Sequence, residues 1–399
     1  MAAPTNDTYT ATSGVSVAAG RYSKPAWRRA IAANTWGTVA ASNTLSSLDP
    51  IKNPAINANY PALPEWAGYH SAIIDAWGGA AFDQTKSTLW LPLQGGHADY
   101  GGNEPYKIDL SVDTPIWKML RNPSGAIGNL ITTQDAKEST GLYSDGRLRA
   151  VHSYNNNLYI PGIGPVVSRM GGCWISGQAG ADKASKIDET TGEATLILNY
   201  GGTTGLGSQY GAAAYDASRN YLYLLGVSTV QLAYINLTNN AVGHLGVFDN
   251  LTNNYCKMVY LAEYDLLAVF QGGGTGFPQP FFLYDCANGY TIIQPTITGA
   301  YPSGFTIRGQ GGADWDAINH RFVMWGATDT KTIVTLSPTG NPRTAAWSVG
   351  ALSISGANTT TPTTGALNGT FGRFGYSKNL GGCYLLNATS DPIYFFATE

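Results

Sequence analysis

Charge is scarce in this chain of 399 residues: Lys, Arg, Asp and Glu together make up 12% of it, about half the share of an average globular protein. The 23 basic and 26 acidic residues leave a net charge of −3, and no basic run exceeds Trp27-Arg28-Arg29. Nucleic-acid binding draws on a cationic surface that displaces counterions from phosphates, so no nucleic-acid partner is expected. Cysteine is scarce as well. Cys173, Cys256, Cys286 and Cys383 lie far apart without a CxxC pair, which argues against both a zinc cluster and a disulfide framework. Cys173 and Cys383 each sit between a Gly-Gly pair and an aromatic residue, a setting for small buried hydrophobes. Five histidines without a short-range pair supply no transition-metal site, so neither metal nor cofactor is expected. Long apolar runs are missing too, and Met1–Asp7 has neither the basic nor the apolar part of a signal peptide. The expectation is a chain made in a cytoplasm, soluble and not inserted in a membrane.

Turn formers and aromatic residues fill the space that charge leaves. The sequence holds 49 Gly, 24 Tyr and 10 Trp, with 43% hydrophobic residues overall. That is too apolar for disorder and suits many short strands joined by tight turns. A period emerges from the punctuation: a strand of small residues, a turn, a bulkier apolar strand, then Gly. Copies begin near residues 80, 150, 213, 258, 313 and 374. One runs through Gly79-Ala80-Ala81-Phe82-Asp83 to Leu89-Trp90-Leu91. Another pairs Val151-His152-Ser153-Tyr154 with Leu158-Tyr159-Ile160 across Asn155–Asn157, and a third pairs Gly211–Asp216 with Tyr221–Gly226. A third apolar strand follows several copies, as at 106–110, 233–237, 281–285 and 333–336, and a Trp marks a fourth at Trp117 and Trp347.

Four strands per unit, the innermost small and tight, predict an all-β chain folded as a closed β-propeller of about six blades, with seven as the other count. A two-sheet stack or a tailspike-like solenoid fits the Gly-Gly spacing less well. The last copy ends at Ile393-Tyr394-Phe395-Phe396 without an outer strand, and Asn34–Val39 reads as the piece that completes it. A strand donated from the N-terminus would remove two open edges. Residues 1–20 form the expected extended polar arm, and residues 21–399 the propeller.

Chemistry is expected where loops converge at the mouth of the central channel. The segment Gly95-Gly96-His97-Ala98-Asp99-Tyr100-Gly101-Gly102-Asn103-Glu104 gathers an imidazole, two carboxylates, a phenol and an amide between Gly pairs. It is read as a ligand loop of His97, Asp99, Tyr100, Asn103 and Glu104, or equally as a polar staple between blades. A second cluster holds Asp145, Arg147, Arg149, His152 and Tyr154 after the long connection 122–142. There Arg147 and Arg149 should point one way along an extended strand and His152 the other. Arg308 is a further ligand candidate, and Arg169, Gln271 and Gln310 are weaker ones. No HExxH, GxSxG or P-loop sequence occurs, nor the Ser-x-Asp-x-Gly-x-Thr-Trp box of sialidases. Asp99 and Glu104, on one loop, make a poor glycosidase pair.

The blade pattern resembles kelch-type propellers. The segments Arg21-Tyr22-Ser23-Lys24-Pro25-Ala26-Trp27 and Trp90-Leu91-Pro92-Leu93-Gln94-Gly95-Gly96-His97-Ala98-Asp99-Tyr100, with Gly101-Gly102-Asn103-Glu104-Pro105-Tyr106 after it, resemble virion proteins of tailed bacteriophages. That resemblance implies a non-catalytic component of the virion tail or baseplate. Its partners would be other virion proteins, possible further copies of itself and a host-surface glycan. Propeller-shaped polysaccharide lyases are the rival class. They act on uronate-containing glycans with His and Tyr as base and acid and Arg on the carboxylate, residue types that His97, Tyr100, Arg149, His152 and Tyr154 supply.

Overall fold

A computed structural model describes residues 24–53, 69–96, 99–124, 142–143, 145–168, 183–199, 211–226, 231–247, 256–270, 281–302, 305, 312–326, 330–366 and 368–399. The N-terminal strand β1 (Thr35–Thr38) belongs to the last blade and is taken up below. Blade 1 comprises β2 (Ala81–Asp83), β3 (Thr88–Leu91), β4 (Tyr106–Asp109) and β5 (Lys118–Met119). Blade 2 comprises β6 (Asn157–Ile160), β7 (Gly164–Val167), β8 (Lys183–Ile187) and β9 (Ala194–Asn199). Blade 3 runs β10 (Ala212–Asp216), β11 (Tyr221–Leu225), β12 (Gln231–Asn236) and β13 (Ala241–Val247). Blade 4 runs β14 (Lys257–Leu261), β15 (Leu266–Phe270), β16 (Phe281–Asp285) and β17 (Thr291–Ile293).

Blade 5 carries an added outer strand. Its β18 (Ile297–Thr298) lies parallel to β22 (Trp347–Ala351), outside β19 (Gly312–Asp316), β20 (Arg321–Trp325) and β21 (Ile333–Pro338). Blade 6 has β23 (Phe374–Ser377), β24 (Gly382–Leu385) and β25 (Tyr394–Ala397), and β1 is its outer strand. Inner strands neighbour one another from β2 through β23, and Phe82 of blade 1 stacks on Tyr384 of blade 6 at 4.5 Å. The chain is therefore a six-bladed propeller, closed by its N-terminal strand.

Five of the six inner hairpins share one turn. Four residues separate paired ends in Asp83↔Thr88, Asp216↔Tyr221, Leu261↔Leu266, Asp316↔Arg321 and Ser377↔Gly382. The last loop residue is left-handed in each case: Ser87, Asn220, Asp265, His320 and Gly381. Asp83, Asp216 and Asp316 each accept the N–H groups two and three residues on, which fixes the turn from its first residue. Ion pairs then tie neighbouring blades on this side. Arg219 spans Asp216 and Asp265 at 2.7 and 2.6 Å, and Arg343 holds Asp285 at 2.8 Å. Because the four successive strands of each blade run antiparallel from inner to outer, with only the added β18 parallel to its neighbour, these short turns crowd one face. The opposite ends of the strands, such as Leu91, Tyr106, Val167, Lys183, Phe270 and Phe281, lie towards the other face.

Blade 2 departs from the sequence reading. Val151–Tyr154 is not its first strand: Asn157–Ile160 is innermost and Gly164–Val167 is second. The tripeptide 155–157 resembles a hairpin turn, but the chain reverses at 161–163, where Gly162 has φ +81° and Gly164 φ +104°. Asn155 instead donates to the Cys256 carbonyl at 2.8 Å. The slip moves His152 and Tyr154 out of a strand and into the loop-bearing face. Cys256, Cys286 and Cys383 are buried, and Cys173 lies outside the described residues, as does the arm of residues 1–20.

Closure concentrates apolar contact. Trp36 is 2% exposed, meets Phe396 edge-on at 5.4 Å and donates its indole N–H to the Lys331 carbonyl at 2.8 Å. Trp36→Ala should therefore cost about 3–5 kcal/mol in urea unfolding, whereas Thr38→Ala, at an exposed position of the same strand, should change stability little. Equal effects would show that closure contributes nothing to stability.

Candidate functional site

Two adjoining groups on the loop-bearing face of blade 1 carry its polar chemistry, one closed and one open. The closed group begins where the chain folds back on itself: Gly96 donates to the Tyr100 carbonyl at 2.7 Å, and Asp99 to the Gly96 carbonyl at 2.8 Å. Tyr100 is thereby turned inward, 1% exposed. Its hydroxyl and that of Tyr106 both donate to Glu104 Oε1, at 2.7 and 2.8 Å. His70 Nε2 lies 2.8 Å from the Tyr106 hydroxyl. Since that hydroxyl spends its proton on Glu104, the imidazole carries its own proton on Nε2. Burial pushes the Glu104 carboxyl up and His70 down to about 4.

Asn103 and Arg149 are equally enclosed. The Asn103 amide donates to the Leu148 carbonyl at 2.7 Å, and its oxygen accepts from Ser124 N at 2.8 Å and Arg121 at 3.2 Å. Arg149, 1% exposed, donates to the Leu142 carbonyl at 2.9 Å and lies over the Tyr143 ring at 5.8 Å. These side chains join the segments around 100–105, 121–124 and 142–149. Arg147 and Arg149 do not point one way, because the segment is not a strand. Arg147 is part-exposed and bonds Glu193 at 2.8 Å.

The open group is the one a ligand can meet. Asp99, 38% exposed at its side chain, holds His152 Nε2 at 2.8 Å. The His152 ring packs on Trp77 at 4.8 Å, with Tyr154 edge-on at 5.9 Å and Phe371 beyond at 5.5 Å from Tyr154. Trp77, Tyr154 and Phe371 have φ of +55°, +45° and +33°. Left-handed backbone in bulky residues costs on the order of 1–3 kcal/mol each and gathers at binding and catalytic sites. Gly79 permits this arrangement, since a Cβ there would stand 2.0 Å from the Tyr154 carbonyl oxygen. Beside the pair opens a cleft of about 310 Å³ lined by Tyr69, Ser71, Asp75, Asp99 and Asn368. Tyr69 is 80% exposed, and Asn368 donates to the Asp75 carbonyl oxygen at 2.8 Å.

Of the residues singled out in the sequence, then, Asp99 and His152 meet at an open surface, while Tyr100, Asn103, Glu104 and Arg149 are enclosed next to it. His97, Arg169, Gln271, Arg308 and Gln310 lie outside the described residues. Tyr69, Asp75, Trp77 and Asn368 were missed. Trp77 had a signal, the Gly78-Gly79 pair after it, which matches the Gly pairs flanking the loop at 95–102.

No family model matches the chain, and no curated protein matches it. Among solved structures it is similar to an auxiliary nutrient binding protein from Bacteroides ovatus, at 11% identity and a TM-score of 0.47, over 81% of this chain and 69% of that one. It is also similar to YjhT, at 10% identity and a TM-score of 0.45, over 82% of this chain and 95% of that one. TolB from Acinetobacter baumannii matches at 12% identity and a TM-score of 0.32, over 71% of this chain and 70% of that one. Likeness this distant lends no support to any function, and the six blades rest on the chain's own sheets.

The closed group sets a dependence on pH. A folded His70 value near 4 against the ordinary 6.5 means the unfolded chain binds more protons between those values. His70 therefore lowers stability as pH falls from about 6.5 to about 4, by on the order of 3 kcal/mol. Glu104, raised by burial, acts in the opposite sense, losing stability as pH rises above the ordinary carboxylate range. His70→Gln should flatten the acid limb of urea-unfolding free energy against pH. An unchanged slope between pH 6.5 and 4 would remove His70 as the cause.

Proposed function

We propose that the protein is a non-catalytic β-propeller of a tailed-bacteriophage virion, contacting other virion proteins and binding host-surface glycan at the Tyr69–Asp99 cleft. The virion part rests on the two segments that resemble phage proteins, at 21–27 and 90–106. The glycan part rests on one observation above all: an aromatic ring 80% exposed stands over a cleft lined by carboxylates and an amide. Sugars stack their apolar faces on such rings and place their hydroxyls on directional acceptors and donors. The strained aromatic stack beneath, from Trp77 to Phe371, holds Asp99 through His152 and so reduces the ordering cost of binding.

Elimination from a uronate is the second reading, and the same geometry disfavours it. That chemistry needs an arginine at the substrate carboxylate and an exposed acid or base. Arg149 and Tyr100 are each 1% exposed and held in bonds to the surrounding loops. Asp99 lines the cleft with His152 behind it, and among the described residues no cation joins them in the lining.

Tyr69→Ala should weaken adsorption to host cells or purified surface polysaccharide about tenfold or more, as expected for a stacking ring worth roughly 1–3 kcal/mol, and leave the melting temperature unchanged. Unaltered adsorption would refute the cleft. Unsaturated sugar products absorbing in the near ultraviolet, formed from acidic polysaccharide by the wild type, would replace binding with elimination.

A further inference from the structure

The larger cavity of about 710 Å³ lies on the other face, under the short turns of blade 1, within the size range of small-ligand sites. Its wall is unusual. Trp90, Lys107 and Lys118 are successive cross-strand partners on β3, β4 and β5, so two ammonium groups stand directly opposite each other. Like charges in that position destabilise a sheet. Lys86 adds a third cation to the wall and Lys24 a fourth at the rim.

Two carboxylates, Asp109 and Glu189, line the cavity beside these four lysines, and Asp83 stands 3.9 Å from Lys86. Glu189 takes Lys86 at 2.7 Å and offers its carbonyl to Lys107, Asp109 is turned onto Ser111, and Glu399 holds Lys24 at 2.8 Å. Lys118 is exposed and has no hydrogen bond among the described residues. Lys107 lies over the Trp90 ring at 4.8 Å, and burial lowers its pKa, so its charge is poorly solvated. Trp90 itself is 2% exposed, with an indole N–H that has no acceptor among the described residues. Around the lysines stand the hydroxyls of Thr85 and Thr114 and the amide of Asn379, with Val112 and Ile116 exposed at 43% and 47%.

We propose that this cavity binds an acidic saccharide unit, its ring carboxylate lying between Lys107 and Lys118. The anion would relieve the repulsion between the two ammonium groups. Hydroxyl and amide groups on the wall would meet the ring hydroxyls, and the two aliphatic side chains its C–H face. The site is separate from the Tyr69 cleft and does not depend on it.

Titration calorimetry on the full chain with trigalacturonate tests the idea, with maltotriose and inorganic phosphate as the other arms. Trigalacturonate should bind, weaken as salt rises and raise the melting temperature, while maltotriose should not bind. Lys118→Ala should reduce affinity at least tenfold without altering the fold, Lys118→Arg should retain most of it, and Tyr69→Ala should change nothing. Absence of trigalacturonate binding at millimolar concentration would overturn the proposal, as would equal affinity for phosphate or full affinity in Lys118→Ala. Loss of trigalacturonate binding in Tyr69→Ala would overturn it too, by moving the acidic saccharide to the other face.

Discussion

The pairing of β1 with β25 is the constraint on which the rest of the molecule depends. Without its outer strand the last blade would leave β25 unpaired and its apolar side chains uncovered, and here that sheet is completed across almost the whole chain: Thr35 faces Ala397 and Thr38 faces Tyr394. The short N-terminal helix behind the strand adds to the closure. Trp27 packs on Phe395 at 5.3 Å, and the buried Arg28 guanidinium donates to the carbonyls of Leu380, Gly381 and Glu399. Burial pulls the Arg28 pKa down, so this is a costly cation to enclose, retained where it meets these three carbonyls and that of Ile31 at the seam. Cooperative unfolding of all six blades follows from such closure, because opening the seam exposes edges and aromatic core together.

Once the ring is closed, the antiparallel order of each blade divides the work between two faces. On one, turns of four residues leave little freedom, and aspartates and arginines bind blade to blade. The other bears the described loops at 92–96, 99–105 and 145–156, where variation need not disturb the ring. The Trp77–His152–Tyr154–Phe371 stack lies between these regimes. It is loop by backbone and core by packing, which is how an exposed carboxylate such as Asp99 can be held still on a face made of connections.

Much of this was legible in the sequence because propeller blades advertise themselves through turns. Small residues before Asp83 and Asp216 and bulky ones after Ser87 and Asn220 marked inner hairpins, and the missing outer strand after Phe396 pointed to Trp36. The reading slipped at blade 2 because three consecutive asparagines look like a turn. Those side chains serve the tertiary structure instead, Asn155 reaching another blade at Cys256, and no local pattern reports a partner a hundred positions away. Burial was harder still to read. The loop at 95–104 showed the right chemical groups, but only the fold-back at Gly96 decides that Tyr100 and Glu104 face inward while Asp99 faces out.

Enclosure of the polar loop also explains its composition without assigning it catalysis. A loop anchored by apolar side chains would need a core of its own on a face already crowded with connections. Tyr100, Asn103, Glu104 and Arg149 anchor it through hydrogen bonds, most of them to carbonyls or to one another. Such networks are directional and specify one geometry, at the expense of burying ionisable groups whose pKa values move accordingly. The residue types that suggest an active site are here the ones that hold a surface in place. Among the described residues, the chemistry open to a ligand is one exposed ring with a few carboxylates and amides on the loop-bearing face, and a lysine-rich wall on the other.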